Sequence, residues 1–158
     1  MVRLVVETLI KAPITLCFDL ARDMNAHAAS MAKSGERILD CPPGALLTLN
    51  DQVTFEAKHL GIRQQLTSKI VTFEPPNLFT DEMQKGAFKS LKHEHRFQIE
   101  GEFTRMTDVV DLAAPFGILG RLGERWFLGT YMRRLLVERG EQLRAMAEAK
   151  AAEDEISI

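Results

Sequence analysis

Cysteine is nearly missing from this chain: Cys17 and Cys41 are the only two among 158 residues. Two thiols make no disulfide framework, so the fold has to rest on a buried apolar core, and reduced cysteines suit a cytoplasmic setting. An excess of either charge is lacking too. A formal net charge of −2 leaves no basic surface for a phosphate backbone, which argues against nucleic acid as a partner. No apolar run reaches the length of a membrane span. Residues 1–13 carry Arg3, Glu7 and Lys11, where a signal peptide needs an unbroken apolar stretch. The expectation is a cytoplasmic protein with no integral membrane segment and no nucleic-acid partner; its oligomeric state is not readable.

What is present is ordinary for a globular protein, with 46% apolar and 27% charged residues, enough to bury a substantial core without a stapling metal. One domain over residues 1–150 is expected, with 151–158 as a frayed tail.

Val2–Ile10 is a β-branched run that reads as a strand, and Ala12-Pro13 ends it at a residue suited to a first helical turn. Ile14–Arg22 follows with helical spacing, and a second short helix is expected over Asn25–Lys33. Beyond the turn at Cys41-Pro42-Pro43-Gly44 come strand-like segments at Asp51–Leu60, Arg63–Glu74, Leu78–Gln84, Phe88–Ile99 and Phe103–Ala113, joined by short connections. Such a succession makes an antiparallel meander. Leu122–Ala149 contains no proline and repeats apolar residues at three- and four-residue steps, as a long amphipathic helix does. A meander with one apolar face and a long apolar-striped helix bury each other when the sheet curves around the helix, and a gap between them becomes a pocket.

This order of elements, with the phrases Ile10-Lys11-Ala12-Pro13 and Phe18, Ser68-Lys69-Ile70 before Pro75-Pro76, Phe79-Thr80-Asp81-Glu82-Met83 with Gly86, His93-Glu94-His95-Arg96-Phe97, and Ala114-Pro115-Phe116-Gly117, resembles the START/Bet v 1-like helix-grip superfamily. Within it, the likeness is to bacterial polyketide cyclase/dehydrase-like and ligand-binding (SRPBCC) proteins, and it spans about Val2 to Ala147. The resemblance implies an α+β helix-grip fold: a curved antiparallel sheet of six or seven strands around the C-terminal helix, with two short helices after the first strand. It also implies a cavity for an apolar or amphipathic molecule such as a lipid, isoprenoid, polyketide or aromatic compound. Members range from carriers to cyclases and hydrolases, and none of the phrases is a catalytic signature.

The stretch Leu91–Ile99 carries the candidate chemistry. With a two-residue period, Leu91, His93, His95, Phe97 and Ile99 share the apolar face, while Lys92, Glu94, Arg96 and Gln98 share the charged one. Two titratable rings thus point inward, where polar groups need partners. A hairpin closed at Lys85-Gly86 brings Phe79 and Asp81 near His93 on the same face, and a turn at Gly101-Glu102 sets His95 near Asp108 and Phe97 near Met106. The expected pairs are His93 with Asp81 and His95 with Asp108. They serve as acid/base groups or ligand anchors on one reading, and as satisfied core polar residues on the other.

The expected lining is Phe79, Met83, Leu91, His93, His95, Phe97, Met106, Asp108 and Val110 from the strands, Phe116 from the loop as a gate, and Trp126 and Met132 from the helix. Met24, Met31, Phe127 and Tyr131 are further candidates for its wall. His93-x-His95 with Gly86 and Glu100 comes near the first cupin motif. The glycine-to-histidine gap is one residue too long, however, Glu100 has the opposite parity, and no histidine follows Asp108 to supply a further ligand, although His59 could join. No metal and no cofactor is expected. Three readings follow: a binder of a small hydrophobic ligand, a cyclase- or dehydratase-like enzyme using those histidines and aspartates, or a protein-interaction module whose groove takes an apolar segment.

Overall fold

The computed structural model describes residues 1–31, 35–59, 61–114 and 127–156, with His59 described by its backbone alone. Seven antiparallel strands form one sheet: β1 (Val2–Ile10), β2 (Arg37–Asp40), β3 (Gln52–His59), β4 (Ile62–Glu74), β5 (Leu78–Lys85), β6 (Ser90–Glu100) and β7 (Phe103–Ala113). Their spatial order is β1-β7-β6-β5-β4-β3-β2. The meander thus runs in sequence from β2 to β7, and β1 closes the far edge beside β7. Two short helices, α1 (Ile14–Arg22) and α2 (Met24–Ser30), connect β1 to the opposite edge, and α3 (Gly129–Ile156) lies along the inner face. This is the α+β helix-grip arrangement.

Local chemistry accounts for the elements. On β1, alternation buries Leu4, Val6, Thr8 and Ile10 and leaves Arg3, Val5, Glu7 and Leu9 outside. Pro13 precedes α1, whose buried face is Cys17, Phe18 and Ala21. Asp23 both ends α1 and caps α2, its carboxylate accepting from the Asn25 and Ala26 amides. Phe18 then enters the core, with the rings of Phe73, Phe79 and Phe97 at centroid distances of 5.7, 5.5 and 5.5 Å.

Three sequence expectations are corrected. The short strand β2 escaped notice because Arg37-Ile38-Leu39-Asp40 is brief and mostly exposed. The segment expected to fray is helical through Ile156: it is rich in alanine, a strong helix former, Ala147 and Ala151 pack against the core, and Glu148 accepts the Lys11 amide at 3.0 Å. Ile99, placed on the apolar face by parity, is 72% exposed, because β6 has left the helices' cover as it approaches the turn at Gly101. The first part of the last helix predicted from Leu122, together with Phe116 and Trp126, lies outside the described residues.

The approach of α3 to β1 depends on Gly140. A Cβ at this position would clash with Thr8 Oγ1. Gly140→Ala should therefore destabilise the fold by about 1–2 kcal/mol, the overpacking cost exceeding the gain in helix propensity. Adding Thr8→Ala, which removes the clashing oxygen, should recover most of that loss. Urea titration of the two single variants and the double variant checks this, and strict additivity would refute the contact.

Candidate functional site

Between the sheet and the helices lies a cavity of about 480 Å³, a volume typical of small-molecule sites. Its wall is mainly apolar: Met24 from α2, Val53 and Phe55 from β3, Ile70 from β4, Phe79 from β5, Leu91 and Val110 from β6 and β7, and Met132 and Leu136 from α3. Against this wall stand a few polar groups, among them His27, Ser68, Asp81, His93, His95 and Arg139.

The strand register sets the most concentrated of these groups. Across β5, β6 and β7, Asp81 faces His93, Phe79 faces His95, His93 faces Val110, and His95 faces Asp108. The side chains do not simply bond straight across, as the sequence pairing supposed. His93 Nε2 bonds Asp108 Oδ1 at 2.8 Å, and His95 Nε2 bonds Asp81 Oδ1 at 3.1 Å. His95 keeps its direct partner as well, with Nδ1 2.9 Å from Asp108 Oδ1. Sheet twist shortens one diagonal of each antiparallel pair, and the Phe79 ring stacks on His95 with centroids 4.2 Å apart. Ser68 Oγ completes the row by donating to Asp81 Oδ2 at 3.1 Å.

The result is a continuous row, Ser68–Asp81–His95–Asp108–His93, buried except for the half-buried Asp81. Both nitrogens of His95 lie close to carboxylate oxygens, an environment that favours the doubly protonated ring. Burial alone would lower its pKa, but hydrogen bonds to Asp108 and Asp81 outweigh that and raise it. For His93 burial prevails, helped by the adjacent His95 charge, and the pKa falls despite the Asp108 bond. A neutral His93 that donates Nε2–H to Asp108 keeps a lone pair on Nδ1, an atom with no hydrogen-bond partner among the described residues. Burial pushes both carboxyls up, yet the bond from His95 holds Asp81 at about 2 and the bonds from both imidazoles hold Asp108 well below the usual carboxylate range.

Two further polar groups border the cavity. His27 Nε2 bonds Glu36 Oε1 at 2.9 Å, and its ring lies 4.8 Å from that of Phe55. Burial, then the charge of Arg139, lowers the His27 pKa, and its Nδ1 is buried without a partner. Arg139 donates to the Ala21 carbonyl at 3.4 Å and makes no ion pair with a carboxylate among the described residues, although its charge helps to lower the Asp81 pKa. It is a guanidinium with donors to spare beside an apolar cavity.

Phe79, Leu91, His93, His95, Val110, Met132 and Asp81 from the sequence reading meet at the cavity, as do Met24, Met31 and Tyr131. Phe97 and Met106 are instead packed into the core around Phe18, Met83 packs against the Leu91 and Val110 cluster, and Asp108 lies behind the histidines. Phe127 is 59% exposed. Sequence reasoning missed His27, Ser68 and Arg139. Spacing held a signal for two of them: His27 follows Met24 by three residues, and Arg139 stands between Leu136 and Leu143 on the apolar stripe.

No protein-family model matches the sequence, and no curated protein matches it. Solved structures do match in shape. A protein from Thermus thermophilus, TTHA0849, is 17% identical with a TM-score of 0.69, over 92% of this chain and 99% of that one. The Panax ginseng major latex-like protein 151 is 16% identical with a TM-score of 0.68, over 92% and 97%. A START superfamily protein from Mycobacterium smegmatis is 12% identical with a TM-score of 0.63, over 96% and 97%. These likenesses establish the helix-grip fold of the START/Bet v 1-like proteins. Among the described residues, no helix is long and apolar enough to cross a membrane.

Asp108 is buried, bonded to His93 and in contact with His95 Nδ1, so removing its charge should cost far more than losing the peripheral Ser68 bond. Asp108→Asn is expected to lower unfolding stability by about 3 kcal/mol and Ser68→Ala by about 1 kcal/mol. Chemical denaturation checks the ranking, and equal losses would contradict the row's dependence on Asp108.

Proposed function

We propose that this chain binds a small, largely apolar molecule that carries one anionic group, held in the cavity between the sheet and α3. The observation that carries the reading is the cavity of about 480 Å³ with an apolar wall and Arg139 beside it without a carboxylate partner among the described residues. Burying apolar ligand surface supplies the affinity, and a carboxylate or similar anion on Arg139 supplies the orientation. The shared fold of START and major latex-like proteins supports the same reading.

A medium-chain fatty acid and the matching alcohol should both displace an anilinonaphthalene sulfonate dye from the wild-type protein. The acid should bind about tenfold tighter, as expected for a charge-assisted contact. Arg139→Gln should remove that preference and leave alcohol binding nearly unchanged, while Met132→Trp, which fills the cavity, should weaken both ligands. Dye and lipid binding untouched by Met132→Trp would overturn the reading.

One observation favours a second reading, acid–base catalysis on the bound molecule. His93 is held by Asp108 through Nε2 and keeps Nδ1 open, which is the arrangement of a general base. On a substrate that the protein turns over, His93→Gln should then reduce kcat by about 10²-fold or more with ligand affinity retained. A kcat unchanged by that substitution removes this reading and leaves binding intact.

A further inference from the structure

The buried row contains an arrangement that neither reading above requires. Asp81, His93 and His95 each offer a donor atom, and the three atoms lie within 4.8 Å of one another. All three residues border the cavity. We propose that they form a site for one first-row divalent transition-metal ion, with two imidazoles and one carboxylate as ligands and the remaining coordination positions open to the cavity.

The case rests on how the row is wired. Asp108 Oδ1 accepts from Nε2 of His93 and lies 2.9 Å from Nδ1 of His95. That one carboxylate therefore engages the outer nitrogen of both rings, fixing their orientation and leaving Nδ1 of His93 and Nε2 of His95 as the ligand atoms. A carboxylate behind a metal-bound imidazole is the usual supporting partner of such ligands. Asp81 supplies the oxygen ligand, and its other oxygen is held by Ser68 at 3.1 Å. Every ligand thus has its support in place.

Distances and charge agree with this assignment. Donors about 2.0–2.2 Å from a metal ion lie roughly 3.0–3.4 Å from one another, and Nε2 of His95 is already 3.1 Å from Asp81 Oδ1. His93 completes the set, its donor atom within 4.8 Å of the other two and its ring 3.7 Å from that of His95 by centroids. Metal binding displaces the Nε2 proton of His95 to solvent, and the resulting two carboxylates and two neutral imidazoles carry a charge of −2, which a dication cancels within the apolar surroundings. A pair of imidazole nitrogens favours zinc, cobalt, iron or nickel over magnesium or calcium. Asp81 comes from the strand next to the two histidines, which is why the spacing within residues 86–100 held no third ligand.

An ion in this position faces the ligand cavity and would take an oxygen of the bound molecule, a carbonyl, hydroxyl or carboxylate, into its open positions. It also occupies Nδ1 of His93, so the metal-bound form and the general-base reading exclude one another at that atom.

The test uses untagged full-length protein and Co²⁺ as the only added probe, without a hydrophobic ligand, so that it is independent of the binding proposal. One equivalent should bind and develop the visible absorption of cobalt in a site of low coordination number. Asp81→Asn and His93→Gln should each weaken binding at least about tenfold, and Asp108→Asn, which touches the ion only through the histidines, about 10–100-fold. X-ray absorption of the Zn²⁺-loaded wild-type protein, which needs no variant to fold, should show scattering from two imidazoles. Absence of stoichiometric binding, cobalt affinity unaffected by Asp81→Asn and His93→Gln, or a zinc shell without imidazole would each overturn the site.

Discussion

Two carboxylates and two imidazoles enclosed on the inner face of the sheet set the condition that the surrounding structure satisfies. Each group is costly to bury alone, so their positions are tied to one another: His95 needs Asp81 on one side and Asp108 on the other, and Asp108 serves both rings. Three adjacent strands have to keep their register for these bonds to form, because a slip of one residue in any of them would turn that strand's members of the row to the outer face. The row thereby couples β5, β6 and β7 in the part of the sheet that borders the cavity.

Around that row the fold divides the inner face into two regions. Phe18, Phe73 and Phe97 pack together beneath α1, and Phe79 is shared between that cluster and the cavity wall. Towards the other end α3 meets β1 closely at Gly140, while its Met132, Leu135, Leu136 and Arg139 side chains line the cavity. The polar groups therefore sit at the boundary between a packed core and an open pocket. From that boundary they can be supported from behind and meet a ligand from the front.

Much of this was legible in the residues. The alternation Leu91-x-His93-x-His95-x-Phe97 and the turn at 101–102 were enough to bring Asp108 opposite His95, because hairpin register follows from the turn position, whereas Asp81 meets His93 across a β5–β6 connection wider than the tight turn expected at 85–86. What register cannot state is which of two near neighbours a side chain will choose, and here twist and the stacked Phe79 ring favoured the diagonals. Arg139 was harder to recognise: a lone arginine on an apolar stripe looks like a snorkelling surface residue until the tertiary structure places a cavity beneath it. Ser68 and His27 reach the site from elements distant in sequence, and only the closed sheet brings them there. At the C-terminus fraying was expected of a chain end, whereas alanine content and packing against the core extend the helix.

The charge state of the row is the claim on which this account turns, and ¹⁵N-resolved NMR of the histidine side chains in metal-free protein near pH 7 reads it directly. Two protonated nitrogens are predicted on His95, together with a neutral His93 whose proton resides on Nε2. A His95 ring found neutral under those conditions, or a His93 ring averaging between tautomers as in free solution, would contradict it.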